Sequence, residues 1–166
     1  MGTPHTSHAE RSRATIRTMR PDDLDAVTQL DARVYGTPRR AYFERRLAAL
    51  LPNAVEGHAI GLVAEDDGAV VGFVMGSLTS GEFGFSEVTA LVDSIAVHPG
   101  QQRRGVGQRL ASAFVAESAA HGARDVYTLV NWNAWDMLKF FDSLGFSLAQ
   151  TVPLRLRIGE NEGASA

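Results

Sequence analysis

The chain has 166 residues, 45% of them apolar and 21% charged, and carries a formal net charge of −3. That is the make-up of one ordinary globular domain, long enough to bury a core without metals or cross-links, and its mild negative charge argues against a nucleic-acid partner. Cysteine is absent, which excludes disulfides, thiolate zinc sites and a cysteine nucleophile and fits a reducing compartment.

The first residues, "MGTPHTSHAERSR", hold no apolar run of the kind a secretory signal needs. No stretch reaches the roughly 20 apolar residues of a membrane span. A cytoplasmic protein with no membrane partner is therefore expected. Residues 1–13 read as a disordered lead-in, 14–158 as a single domain, and 159–166, "GENEGASA" from Gly159, as a flexible tail.

In chain order, "ATIRTMR" alternates and predicts a first strand. "PDDLDAVTQLDARVYG" predicts a helix: Leu24, Val27, Leu30 and Val34 recur at helical spacing, Pro21 with Asp22 and Asp23 marks its start, and Gly36 ends it. "RRAYFERRLAALLP" predicts a second helix with Tyr42, Phe43, Leu47 and Leu50 on its apolar side, closed by Pro52. "GLVAEDDGAVVGFVMGSLTS" reads as two strands around an Asp67-Gly68 hairpin turn. "GEFGFSE" is a looser connection into the long strand "EVTALVDSIAVHP", which Pro99 terminates.

The next helix carries Val106, Leu110, Ala113 and Phe114 inward and stops at Gly122. "DVYTLV" is a further strand. "NAWDMLKFFDSL" is a helix with Met137, Leu138, Phe141 and Leu144 on its apolar side, capped by Gly145 with Phe146 packing back. "AQTVPLRLRI" predicts a last strand, with Pro153 marking an edge or a bulge. The order β-α-α-β-β-β-α-β-α-β indicates an α+β, mixed-sheet domain.

The stretch "HPGQQRRGVGQRL", running from strand to helix, has the form of a phosphate site. Its glycines let backbone amides approach a pyrophosphate, the helix N-terminus adds positive potential, and Arg103, Arg104 and Arg109 add charge. It is not a nucleotide P-loop, because Val106 and Gly107 stand where Lys and Ser/Thr are required. A dinucleotide fingerprint fails because Leu110 replaces the third glycine and several strands precede the loop. What remains is Gln/Arg-x-x-Gly-x-Gly/Ala, met by Gln102, Gly105 and Gly107 as "QRRGVG".

With that motif the chain resembles the GNAT superfamily of acyl-CoA-dependent N-acetyltransferases. "SIAVHPGQQRRGVGQRL" is similar to the family's whole strand–loop–helix, "FFDSLGF" to its Tyr-x-x-x-Gly-Phe, and "IRTMRPDDLDAV" to its opening strand and helix. The resemblance implies a central, mostly antiparallel sheet of six or seven strands, splayed between the fourth and fifth and flanked by helices. It implies transfer of an acetyl or other acyl group from acetyl-CoA to a primary amine, by direct attack in a ternary complex and with no metal. The acceptor, a small molecule or a protein or peptide, is left open, and a homodimer is the assembly suggested. A non-catalytic acyl-CoA-binding regulatory or interaction module is the alternative.

Carried over by residue, Gln102, Arg103, Arg104, Gly105, Val106, Gly107 and Gln108 would cradle the pyrophosphate. Ile95 and Val97 would pair by backbone with the pantetheine arm. An amide near Ile95 or Ala96, with Ala96 preferred, would polarise the thioester carbonyl. At the position of the family's general-acid tyrosine stands Phe141, which has no proton to give. It is expected either to pack against pantetheine or to serve as helix core. Thiolate, from a thiol of pKa about 8.5, is a fair leaving group without an acid.

Tyr127 on the next strand is the substitute acid, while Tyr35 and Tyr42 would shape the acceptor site. Asp93, an acid among apolar neighbours in "TALVDSIAV", is either the base or amine anchor or a structural acid bonded near the splay. Strand alternation would set Glu87, Asp93 and Ile95 on one face, and Glu87 and Glu82 are weaker candidates. Asn131 or Asn133 would cap the helix that follows and touch CoA. Trp132 could line a pocket, and Trp135 fits the helix's inner face. Asp136 would meet a cationic acceptor or favour the helix start. The five histidines show no metal spacing, and His98 reads as a solvated strand end.

Overall fold

A computed structural model describes residues 12–50, 59–80, 87–156 and 158. The expected turn at Pro52, the connection at Glu82, the tail and all of the lead-in but Ser12 and Arg13 lie outside the described residues. Residues 1–131 and 132–166 form two compact units.

In the first unit, β1 (Thr15–Thr18), α1 (Leu24–Tyr35), α2 (Arg40–Ala48), β2 (Ala59–Asp66), β3 (Ala69–Ser80), β4 (Val88–Val97), α3 (Val106–Ala120) and β5 (Asp125–Thr128) follow in that order. They build a five-stranded sheet in the order β1-β2-β3-β4-β5. The first three pairings are antiparallel and β4–β5 is parallel.

Local chemistry places most boundaries. Asp67 (φ 49°) and Gly68 (φ 77°) are both left-handed, as a two-residue hairpin turn between β2 and β3 requires. Gly36 stops α1 in the left-handed region at φ 82°, with its amide bonded to the Ala32 carbonyl. Before α1, Arg17 donates both terminal nitrogens to Asp23 at 2.8 Å, and Asp23 also accepts the Arg20 amide at 2.7 Å. The start of α1 is thereby tied to β1.

Each sheet face has its own cover. On one face Val27 and Leu30 of α1 and Phe43 and Leu47 of α2 form a core with Val63, Phe73, Met75 and Ala96. Phe43 meets Phe73 edge to face with centroids 5.4 Å apart. On the other face α3 lies so close to β3 that only glycine fits beneath it. A Cβ at Gly72 would come within 2.9 Å of Leu110, and one at Gly76 within 2.4 Å of Phe114. Val106, Leu110, Ala111, Phe114 and Ser118 are the buried residues of α3. Ala111 takes the inward place expected for Ala113, because it shares the Leu110–Phe114 stripe.

The second unit contains α4 (Trp135–Asp142), closed by Gly145 at φ 87°. Phe141 is buried and meets Phe140 and Phe146 edge to face, centroids 5.1 and 5.0 Å apart. Trp135 is exposed, so the inner-face expectation for it is corrected: at the first helical position it precedes the apolar stripe.

Against an expectation of six or seven strands, the described residues hold five. Where described, the stretch from 149 to 158 is not strand. Pro153 removes a ladder donor, and Val152, Leu154 and Leu156 stay exposed instead of turning toward a sheet. Among the described residues no helix is long and apolar enough to cross a membrane.

Candidate functional site

The site begins where β4 loses a neighbour. β3 follows β4 to Val97, but β5 pairs only with Thr89–Val92. From Asp93 onward one edge of β4 is open, in accord with a sheet splayed between its fourth and fifth strands. A β-bulge sits at that point: Met75 pairs with Ser94 and Gly76 with Val92, leaving Asp93 opposite no residue. The bulge breaks simple alternation, so the expected common face of Glu87, Asp93 and Ile95 does not form. Glu87 is exposed and pairs with Arg124 at 3.5 Å.

Three hydrogen bonds fix which backbone groups face the opening. His98 donates its amide to Val71 of β3 at 2.8 Å. Backbone groups alternate sides along a strand, so the Ala96 amide also turns toward β3. Ile95 and Val97 turn to the open side. Their carbonyls accept there from the Tyr35 hydroxyl at 3.0 Å and from Gln102 Nε2 at 3.1 Å. Burial, and then the neighbouring Asp31 carboxylate, push the Tyr35 phenol above its ordinary pKa, so it stays a neutral donor.

The strand leads directly into the loop. Arg103 (φ 61°) and Gly105 (φ 82°) are left-handed on either side of Arg104, curling the chain into the start of α3. Gly105 is the N-cap and no side chain caps the helix. Among the described residues no side chain hydrogen-bonds the first-turn amides of this 15-residue helix. The loop is braced from outside. Gln101 donates to Asp66 at 3.0 Å, Arg104 to Gln101 at 3.1 Å, and Arg109 to the Ser12 carbonyl at 3.2 Å. Ser12 also donates its amide to the Arg104 carbonyl at 3.2 Å, which ties the residues before β1 to the loop.

Beside the opening lies a cleft of about 290 Å³ lined by Tyr35, Thr37, Arg39, Asp93, Ser94 and Leu129. Arg39 is held by Asp31, which accepts from Nε at 2.9 Å and from Nη2 at 2.5 Å. Nη2 also reaches the Ser94 hydroxyl at 3.3 Å. The guanidinium lies 5.1 to 5.6 Å from the ring centres of Tyr35, Tyr42 and Phe43. Asp93 forms an ion pair with Arg46 of α2. Its side chain is mostly covered while the residue as a whole is exposed, so its backbone is what the bulge presents to solvent.

The structure therefore joins Tyr35, Asp93 and the β4 edge in one place, and the loop residues Gln102 to Gln108 in another, continuous with it. Tyr127 stands on β5 opposite Leu91, half-exposed and away from the cleft lining. Asn133 and Phe141 belong to the second unit. Neither Asn131 nor Asn133 caps α4: Ala134 occupies the cap position and no side chain bonds there. Trp132 is exposed. Sequence reasoning missed Asp31, Arg39 and Arg46. Asp31 left a trace, since it lies four residues after Val27 on the apolar stripe of α1, where an acid needs a buried partner. Nothing local distinguishes Arg39 and Arg46 from their arginine neighbours.

Residues 24–146 match the sequence model described as "Acetyltransferase (GNAT) family". The chain belongs to the GNAT family of acetyltransferases. No match was found among curated proteins. Solved GNAT-like structures share the fold. A transcriptional regulator from Bacillus halodurans superposes with a TM-score of 0.72 at 17% identity, covering 88% of this chain and 100% of that one. An aminoglycoside N-acetyltransferase in complex with CoA gives 0.72 at 21% identity, covering 88% and 95%. A ribosomal-protein-alanine N-acetyltransferase from Brucella melitensis gives 0.70 at 20%, covering 87% and 99%. In this GNAT chain the uncapped α3 start and the open β4 edge are the features that fit a pyrophosphate with an extended arm.

Proposed function

We propose that the protein is an N-acetyltransferase that passes an acetyl group from acetyl-CoA to a primary amine by direct attack within a ternary complex. The observation that carries this reading is the continuity of an unpaired strand edge, Asp93 to Val97, with a loop ending at an uncapped helix N-terminus. The amides of Gln102 to Gln108 hold the pyrophosphate, supported by Arg103 and Arg109. Gln102 also acts through its side chain, which holds the Val97 carbonyl and so fixes the turn out of β4.

Acetyl-CoA supplies the acyl group as a thioester. The outward amides of Ile95 and Val97 are the strand donors for its arm and for the charge that develops on the thioester oxygen. Of the two candidate oxyanion amides, Ile95 is the one this reading favours, since the Ala96 amide is turned to β3. The Tyr35 hydroxyl stiffens that edge through the Ile95 carbonyl. Asp93, already paired with Arg46 at the cleft wall, serves as an anchor for the incoming amine. Water carries the ammonium proton away.

Release of CoA thiol from acetyl-CoA, measured across a panel of amines, tests the reading. Acceptor-dependent release is expected. CoA binding without release for any amine would establish the alternative, a non-catalytic acyl-CoA-binding module. On any accepted amine, Asp93→Asn is expected to raise the acceptor KM more than it lowers kcat; the reverse pattern would make Asp93 the base. A homodimer is the proposed assembly, supported by the exposed apolar side chains of Leu148, Val152, Leu154 and Leu156. A monomeric mass by sedimentation at micromolar concentration would refute it.

A further inference from the structure

We infer that the acceptor carries a carboxylate close to its amine, as an amino acid does, and that Arg39 is the residue that reads it. This rests on the acetyltransferase reading above and narrows the substrate class of the same cleft.

The cleft wall exposes a cation more than its counter-ion. Of the described lining residues, Arg39 and Asp93 are the charged ones. Asp31, the partner of Arg39, is fully buried, while the Arg39 side chain keeps 40% of its exposure. A ligand therefore meets the cation and not its counter-ion. Asp31 uses Nε and Nη2, which leaves Nη1 as the edge of the fork not engaged by Asp31. Three rings and the buried carboxylate hold the guanidinium in place, so little side-chain entropy is lost on binding an anion. A rigid, part-buried guanidinium is a strong and directional carboxylate donor.

The acid in the cleft is arranged in the opposite sense. Asp93 already has Arg46, so it adds no net negative charge. A polyamine or an amino sugar carrying several cations would find one carboxylate here, already paired, and an exposed guanidinium. An amine with an adjacent carboxylate finds complementary groups: Arg39 for the carboxylate, Asp93 for the ammonium, and the Thr37 and Ser94 hydroxyls as further polar contacts. The spacing also suits the chemistry. Arg39 touches the hydroxyl of Ser94, the residue just before Ile95, whose amide faces the thioester. A carboxylate on Arg39 thus holds its own amine beside the reacting carbonyl. Once the ammonium has lost one proton to water, its neutral nitrogen forms the C–N bond, the C–S bond breaks, CoA leaves as thiolate, and the second proton passes from the nitrogen to water to leave the neutral amide.

The test uses matched acceptors in the thiol-release assay: free amino acids, the same amino acids as C-terminal amides, a linear polyamine, and an aminoglycoside. For the wild-type protein the free acid is expected to exceed its amide by about 10- to 100-fold in kcat/KM, the range of one charge-assisted hydrogen bond. Arg39→Ala would strand Asp31, so the variant to use is the double substitution Asp31→Asn with Arg39→Gln, which removes both charges together. In it the acid-to-amide ratio is expected to fall toward one. Arg39→Lys, which keeps the charge but not the fork, is expected to retain part of the ratio. Amides, polyamine or aminoglycoside used as well as or better than the free acids would overturn the inference and leave the acetyltransferase standing. An unchanged ratio in the double variant would overturn the role of Arg39. No release with any amine would overturn both readings.

Discussion

Gly76→Ala tests how tightly the open edge of β4, the proposed CoA contact, depends on the packing beneath it. An added Cβ would lie 2.2 Å from the Leu91 carbonyl oxygen and 2.4 and 2.7 Å from two atoms of the Phe114 ring. The ring is fully buried and cannot swing into solvent, and the carbonyl belongs to the paired strand β4. Overpacking of this kind costs about 1–3 kcal/mol when side chains can give way. Here a backbone atom is the nearer obstacle, so a cost at the upper end, about 3 kcal/mol, is expected. For a chain of this size that lowers Tm by about 6–12 °C. Gly76 pairs with Val92, beside the bulge at Asp93, so the strain is passed to the edge that leads to Ile95. The KM for acetyl-CoA should rise with the loss of stability. The assay is thermal unfolding with and without CoA, repeated in a Phe114→Leu background. Removing the ring should recover part of the loss, about 1 kcal/mol as a coupling between the two sites. The contact with the Leu91 carbonyl should keep the rest. A Tm within about 2 °C of wild type, well short of the shift that such a cost produces, or full recovery in the double variant, would refute this account of the close approach.

Other outcomes follow from the same geometry. Gly105→Ala meets no atom within 4 Å but must hold φ +82°; a loss of about 1 kcal/mol from the left-handed backbone is expected, together with a weaker thermal shift on adding CoA. The Asp23 carboxyl is held below its ordinary pKa of 3.8, first by its hydrogen bond from Arg17. Its stabilisation is therefore present above that value and is lost as pH falls through the depressed one. The stability difference between wild type and Asp23→Asn should be greatest near neutral pH, at about 1.5–3 kcal/mol, and should shrink steadily on acidification below the ordinary carboxylate range. A difference that grew on acidification would contradict the ion pair. Phe141→Tyr restores a phenol at the position where the family's acid stands; unchanged turnover is expected if thiolate leaves unprotonated, and a many-fold rise would show that an acid is needed.

Much of this chain is governed by signals that act over a few residues, and those are legible in its sequence. Pro21 opens the 3-10 turn that leads into α1 and Gly36 ends that helix, Asp67-Gly68 turns the hairpin, and Gly105 starts α3, because capping, turn angles and periodicity depend on immediate neighbours. "QRRGVG" marks the loop proposed to hold the pyrophosphate for the same reason: the proposed role is carried by backbone conformation, which glycine spacing encodes. Among the described residues of 149–158 the expected strand does not form, because alternation shows only that a segment could pair, and pairing needs an edge to receive it.

The chemistry beside the loop is a product of long-range packing. The bulge at Asp93 arises where β3 and β4 slip register above Phe114, and through it Ile95, not Ala96, offers its amide to the opening. Arg46 reaches Asp93, and Arg39 reaches Ser94 across a separation of 55 residues; no local pattern encodes such pairs. The proposed donor loop can thus be read along the chain, since a handful of adjacent residues shape it. The charges that line the cleft cannot, because they depend on how α1 and α2 settle on the splayed sheet, where burial conceals Asp31 and leaves Arg39 exposed.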